Sequence, residues 1–191
     1  MQGDGDFRSE ECTEIAKNSD IIITNPPFSL IAIYIPFLCN LHKDFIIIAP
    51  MTVVCRDFLF NQIAEQKIKI GYYCNSNPWF TVPFSNKKQK RAVTVLTTFS
   101  IDRGKPPIPL VNKDIKNYQR FVVYTDVINV DNVKSIPNYS GKMAVPITFL
   151  KYWNPDQFNL IGMIKGRDSV LQNGRRVFAR IVIKIKQGDS K

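Results

Sequence analysis

Asn25, Pro26, Pro27 and Phe28 are the four residues of this chain whose types and order best suit chemistry. An exocyclic base amine is a weak nucleophile because its lone pair is delocalised into the ring. The side-chain oxygen of Asn25 and the backbone carbonyl of Pro26 can each accept one N–H of such an amine. That holds the nitrogen nearer tetrahedral geometry and aims its lone pair at an incoming methyl group. The paired prolines fix φ and present the carbonyls rigidly, and Phe28 offers a ring on which an extruded base can stack. No charged general base is required before attack, so catalysis is mostly positioning and desolvation. The alternative is a rigid turn with no chemistry.

The elements around the motif read as an α/β unit. Ser9 is placed to cap a helix running to about Lys17, with Glu10 and Glu11 favouring the positive end of its dipole. Asp20 to Thr24 is a continuously apolar strand of the kind covered on both faces in parallel sheets, and the prolines end it. Residues 30–41 read as a helix kinked or cut short at Pro36. Phe45 to Ala49 forms a second buried strand, residues 54–66 a helix, and Ile68 to Tyr73 a third strand, all with parallel pairing. Open sheets of this class bind ligands at the carboxyl ends of their strands, where Asn25 stands.

Beyond Gly71 the pattern becomes β-rich. Residues 78–84 and 92–99 predict a hairpin around the basic turn at Asn86–Arg91. Pro106, Pro107 and Pro109 mark a linker or a lid. Strand-like runs follow at 120–124, 127–130, 158–164 and 177–185, with Asn173-Gly174 as a tight turn before the last. The expected division is a catalytic part over residues 1–103 and a basic, recognition-like segment over 104–191.

Charge follows the same division. Residues 1–100 hold 10 Lys+Arg against 9 Asp+Glu, and residues 101–191 hold 16 against 7. A basic second half suits a polyanion, or is simply the surface of a soluble basic domain. Lys87, Lys88, Lys90 and Arg91 read either as phosphate contacts or as a solvated loop. Arg167, Arg175 and Arg176 flank the last hairpin and can reach phosphates or base edges. Trp79 and Trp153 read as packing residues. With one histidine and no Cys-x-x-Cys pair, neither a zinc site nor a histidine-based triad is expected. The apolar stretches are too short to span a bilayer, and a cytoplasmic protein with reduced thiols is expected.

Asp20 to Phe28 resembles the catalytic loop of amino-directed S-adenosylmethionine methyltransferases. The wider chain resembles the EcoRI-type adenine-specific (N6) DNA methyltransferases. The pieces that carry this are Gly5-Asp6-Phe7-Arg8-Ser9-Glu10-Glu11-Cys12, Trp79-Phe80-x-Val82-Pro83, Val145 to Leu150, Asn154-Pro155-x-Gln157-Phe158, and Asn173-Gly174 leading to Ala179-Arg180-Ile181. They run through most of the chain.

The resemblance implies methyl transfer from S-adenosylmethionine to the adenine N6 of double-stranded DNA, in a restriction-modification setting. Asn25, Pro26, Pro27 and Phe28 would form the target-adenine loop. Asp6 would accept a hydrogen from the cofactor adenine amine and Phe7 would pack on its ring; apart from the family, Asp6 is a solvated turn residue and Phe7 a core residue. The fold implied is a partial Rossmann-like sheet followed by a β-rich basic segment. In the family, a glycine-containing turn for the methionine moiety and a strand ending in an acid for the ribose precede the Gly-Asp-Phe element. Neither fits before Asp6, so the expectation is a truncated, degenerate or split form. The strand at Ile21–Thr24 would then be an edge open to self-association or to a completing N-terminal polypeptide. Related asparagine-proline-proline-aromatic loops imply two other substrates, an RNA base or a protein glutamine. A catalytically inactive nucleic-acid-binding module is the reading from a different class.

Overall fold

The computed structural model describes residues 5–71, 79–81, 84–85, 87–90, 92–100 and 106–186. The chain divides into two compact units, Met1–Asp102 and Arg103–Lys191.

The first unit begins with α1 (Glu10–Asn18), whose cap is the one expected: the Ser9 hydroxyl accepts from the Cys12 amide at 3.2 Å. β1 (Ile21–Thr24), α2 (Ile31–Asn40), β2 (Asp44–Pro50), α3 (Asp57–Ala64) and β3 (Lys69–Ile70) follow. Then come β4 (Trp79–Thr81), β5 (Lys88–Lys90) and β6 (Val93–Thr97). The main sheet has the order β1-β2-β6-β3. β1 and β2 are parallel, with Ile21 opposite Asp44 and Thr24 opposite Ile47. β6 lies between β2 and β3 and is antiparallel to both, so the all-parallel pairing expected of the third strand is corrected. The hairpin is corrected too. β4 pairs with β5, Trp79 opposite Lys90 and Thr81 opposite Lys88, and not with the strand after residue 92.

The core of this unit explains why β6 is drawn into the sheet. Thr94, Leu96 and Thr97 are buried on it, beside Phe45, Ile47 and Ala49 of β2. The Thr97 hydroxyl donates to the Phe45 carbonyl at 2.8 Å, so its burial leaves no hydroxyl unsatisfied. Gly71 permits close approach to β6: its amide donates to the Val95 carbonyl at 2.6 Å, and a Cβ there would stand 2.8 Å from the Val95 side chain. α2 buries Ile31, Tyr34, Ile35 and Leu38 and continues through Pro36 to Asn40, so of the kink or early break expected there the break does not occur. It stops where His42 takes φ 52°, a left-handed residue just past the helix end.

β1 departs from its expected environment. Ile21 is 46% and Ile23 73% exposed, so the strand is not covered on both faces. β1 is an edge strand, paired only with β2 among the described residues.

The second unit is a mixed sheet of β7 (Val127–Asn129), β8 (Lys142–Pro146), β9 (Phe158–Ile164) and β10 (Arg180–Ile185), in the order β7-β8-β10-β9. β7 is parallel to β8, and β10 is antiparallel to both its neighbours, with an irregularity in its β9 register between Val182 and Ile183. One buried cluster joins Ala144 and Val182 to Phe121, Leu171 and Val177. Met143 and Val145, which alternate with Ala144 along β8, are also buried, so both faces of the strand are covered. The expected strand at 120–124 does not form. Arg120 and Phe121 make single bridges, while Val122 and Val123 are exposed. The expected linker or lid at Pro106–Pro109 is tied to the second unit through Ile108. Ile108 is buried, its amide donating to the Gln157 side chain at 2.7 Å and its carbonyl accepting from it at 2.8 Å. Asn173-Gly174 forms a turn, the Gly174 amide (φ 81°) donating to the Leu171 carbonyl at 2.8 Å.

Candidate functional site

The Asn25–Phe28 segment leaves the carboxyl end of β1 and passes by one turn into α2. The turn closes where the Leu30 amide donates to the Pro27 carbonyl at 3.0 Å, and the Leu30 carbonyl then accepts from Tyr34 at 2.9 Å to start the helix. Pro26 is buried, whereas Asn25, Pro27 and Phe28 are exposed. The buried proline anchors a loop whose residues on either side are exposed. Among the described residues, no hydrogen bond occupies the Asn25 carboxamide or the Pro26 carbonyl. The exposed Asn25 carboxamide is therefore available to a ligand's N–H group, and the Pro26 carbonyl is not committed to a donor among the described residues.

A groove of about 640 Å³ runs along this end of β1. Thr24, Asn25, Pro26 and Pro27 line it, and so do Asp6 and Phe7 from the segment before α1. The two motifs singled out in the sequence thus share one groove. Asp6 is held by Arg8: the Arg8 amide and Nε donate to Oδ1 at 2.8 and 2.9 Å, and the guanidinium also bonds Oδ2. Hydrogen bonds from the Arg8 side chain and amide lower the Asp6 pKa to about 2, so it is an ionised acceptor at neutral pH. Phe7 packs edge-on against Tyr34 and Phe37 of α2, at centroid distances of 4.8 and 5.2 Å. Sequence reasoning missed Arg8, Tyr34 and Phe37. The aromatic pair three residues apart on a helix, Tyr34 and Phe37, was the signal available.

Lys87, Lys88 and Lys90 are exposed on or beside β5. The Lys90 ammonium sits 4.5 Å from the centre of the Trp79 ring. Trp79 is 62% exposed, so it is not the packing residue expected. Trp153 is half-buried, with its indole N–H donating to the Phe158 carbonyl at 2.9 Å. Arg91 lies outside the described residues.

In the second unit Arg167 and Arg176 are exposed, but Arg175 is already engaged. Its guanidinium bonds Asp131 at 2.7 Å. Arg180 reaches the same carboxylate at 3.3 Å and the Asn129 side-chain oxygen at 3.1 Å. Partial burial works against ionisation of Asp131. The hydrogen bonds from Arg175 and Asn129 and the charges of both arginines outweigh it and hold the carboxyl below its ordinary range. Nothing in the spacing of the sequence joined Asn129, Asp131 and Arg180. Among the described residues no three His, Cys, Asp or Glu side chains cluster to hold a metal ion, and no helix is long and apolar enough to cross a membrane.

The family model described as adenine-specific methyltransferase EcoRI matches residues 1–189. The chain is 37% identical to the type II methyltransferase M.EcoRI of Escherichia coli, over 97% of this chain and 63% of that protein. It is 30% identical to a type II methyltransferase of Mycoplasma genitalium, over 98% of this chain and 71% of the relative. It is 29% identical to the type II methyltransferase M.MpnI of Mycoplasma pneumoniae, over 98% and 70% respectively. The chain therefore spans somewhat under two thirds of the E. coli relative's length. No solved structure matches the chain significantly.

Proposed function

Because this chain belongs to the EcoRI family of adenine-specific methyltransferases, we propose that it carries the target-base side of methyl transfer from S-adenosylmethionine to the N6 amine of adenine in double-stranded DNA. The observation that supports this most is the loop at the end of β1. It places the exposed Asn25 carboxamide and Pro26, whose carbonyl has no donor among the described residues, in a groove shared with Asp6 and Phe7, and it carries the exposed Phe28 ring next to Pro27.

The residues present fit the cofactor in part. Asp6 is an ionised acceptor suited to an adenine amine, and Phe7 is an aromatic side chain fixed by two others. S-adenosylmethionine, when bound, supplies an electrophilic methyl group on a sulfonium. Asn25 and Pro26 accept the two N–H hydrogens of the target amine and turn its lone pair out of conjugation. Phe28 covers the face of the base, which has left the duplex stack. The loop's rigidity, set by Pro26 in the core and Pro27 in the turn, keeps the two acceptors at one separation, so orientation is established before the reaction.

β1 lies at the edge of its sheet among the described residues, with Ile23 exposed. This supports a further strand pairing there, from a second copy or from additional polypeptide.

The direct test is transfer of label from S-adenosylmethionine to unmethylated DNA, with the product digested to nucleosides. Label in N6-methyladenosine is expected from the protein, supplemented if required with the part of the E. coli relative that the match does not cover. Label in another base, in RNA alone or in glutamine would overturn the assignment. DNA binding without label in either preparation would indicate an inactive binding module.

A further inference from the structure

Among the described residues β4 and β5 pair only with each other and form a two-stranded sheet of their own. Isolated hairpins are marginal in water, and large exposed apolar side chains are the informative exceptions on a soluble surface. This one presents Trp79 at 62% exposure and, at its turn, Phe84 completely exposed with φ 60°. No acidic residue occurs between Glu65 and Asp102, a span that includes Lys87, Lys88, Lys90 and Arg91.

Register places Trp79 opposite Lys90 and Thr81 opposite Lys88. Side chains at alternate positions share a face, so Trp79, Lys88 and Lys90 lie together on one side of the hairpin. Lys90 covers one face of the indole at 4.5 Å, a cation–π contact that fixes the ring's orientation. The remaining ring surface is available to a flat partner, and the ammonium groups beside it to anions. Stacking surface and phosphate-binding charge on one strand pair are the two parts of a site for an unpaired nucleotide. An apolar peptide would gain little from the lysines, and an acidic peptide little from the indole.

We propose that the β4–β5 hairpin is a nucleic-acid-stacking arm in which Trp79 stacks on a base that is out of the duplex, while Lys88 and Lys90 hold the adjoining phosphates. The arm is distinct from the Asn25–Phe28 loop and rests on the reading that this chain acts on DNA.

The protein has two tryptophans, so a Trp153→Phe variant reports on Trp79 alone. The difference between unmodified protein and Trp79→Phe gives the same signal without altering Trp153. The probes are a single-stranded oligodeoxyadenylate and a fully matched duplex, with binding followed separately by anisotropy of a labelled strand. Trp79 emission should be quenched along the binding curve of the single strand, and more than by the matched duplex. Trp79→Ala should weaken single-strand binding by about 5- to 150-fold, the range for loss of one aromatic–base stack, and Trp79→Phe should restore most of it. Binding of both probes with unchanged Trp79 emission would overturn the arm and leave DNA binding standing. Equal quenching by strand and duplex would overturn the preference for an unpaired base. Failure to bind either probe would overturn both the arm and the function on which it rests.

Discussion

Phe7 and Tyr34 meet edge to face, their ring centroids 4.8 Å apart and their planes at 80°. This contact ties the segment before α1 to the helix that begins just after the Asn25–Phe28 loop, so the two sides of the groove are positioned by one aromatic cluster.

Replacing Phe7 by Leu keeps apolar bulk but removes the ring from that cluster. Such aromatic pairs contribute about 0.5–1.5 kcal/mol beyond their burial. Phe7→Leu should lower unfolding free energy by about that amount in a urea titration. It should also weaken S-adenosylmethionine binding, measured by calorimetry on protein that is fully folded at the assay temperature. A normal cofactor affinity in the folded variant would remove Phe7 from the cofactor site.

Asn25 is exposed and makes no hydrogen bond to other described side chains, so Asn25→Ala should change stability by no more than about 0.5 kcal/mol. Turnover should fall far more, on the order of 10²–10³-fold, as on removal of a preorganised hydrogen-bonding group. DNA affinity should hardly move. The comparison needs single-turnover rates and anisotropy on the same preparation. An unchanged rate would take Asn25 out of the chemistry.

Asp6 is held well below the ordinary carboxylate range, at about 2, by hydrogen bonds from Arg8. A depressed pKa means that the folded state favours the ionised form. The pair's contribution to stability is therefore present above the unfolded pKa, near 3.8, and is lost as pH falls through about 2. Because Asp6 is solvated, the energetic effect is small and the titration itself is the better observable. Carbon-detected NMR should place the Asp6 midpoint near 2, and Arg8→Ala should return it toward 3.8. A midpoint unmoved by that substitution would show that Arg8 is not the cause.

The legible parts of this protein were those governed by local chemistry. Ser9 announced its helix because a cap is made by residues three apart. β1 and β2 were readable as short apolar runs, the first ended by Pro26 and Pro27. The Asn25 motif and Asp6-Phe7 were readable as motifs, but their sharing of a groove was not, since that depends on α2 bringing Tyr34 and Phe37 to Phe7. β6 was assigned to the nearest preceding strand, whereas its buried Leu96 is paired with Ile47, far back in the chain. β8 went unnoticed because five residues between Lys142 and Pro146 carry little periodic signal. Val122 and Val123 have the composition of a strand, yet only Phe121 beside them is buried. Pairing over long sequence separation decides these cases, and side-chain preference does not register it.

The same long-range pairing separates the basic residues into two kinds. Lys88 is exposed, and no ion pair among the described residues engages it. Arg175 is already bonded to Asp131, and Arg180 shares that carboxylate while bonding Asn129. A cation that neutralises a phosphate contributes about 0.9 to the slope of log affinity against log salt. One that must leave a carboxylate to do so gains less, because the exchange swaps one ion pair for another. Lys88→Ala should therefore reduce the salt slope of duplex binding by about 0.9, whereas Arg180→Ala should leave it nearly unchanged and lower the melting temperature instead. Removing Arg180, whose side chain is only 11% exposed, strips packing and a charge partner from Asp131 at 54% exposure. A loss on the order of 1–2 kcal/mol follows, between the values for exposed and buried pairs. A slope reduced equally by both substitutions would show that Arg180 abandons Asp131 for the phosphate backbone when DNA binds.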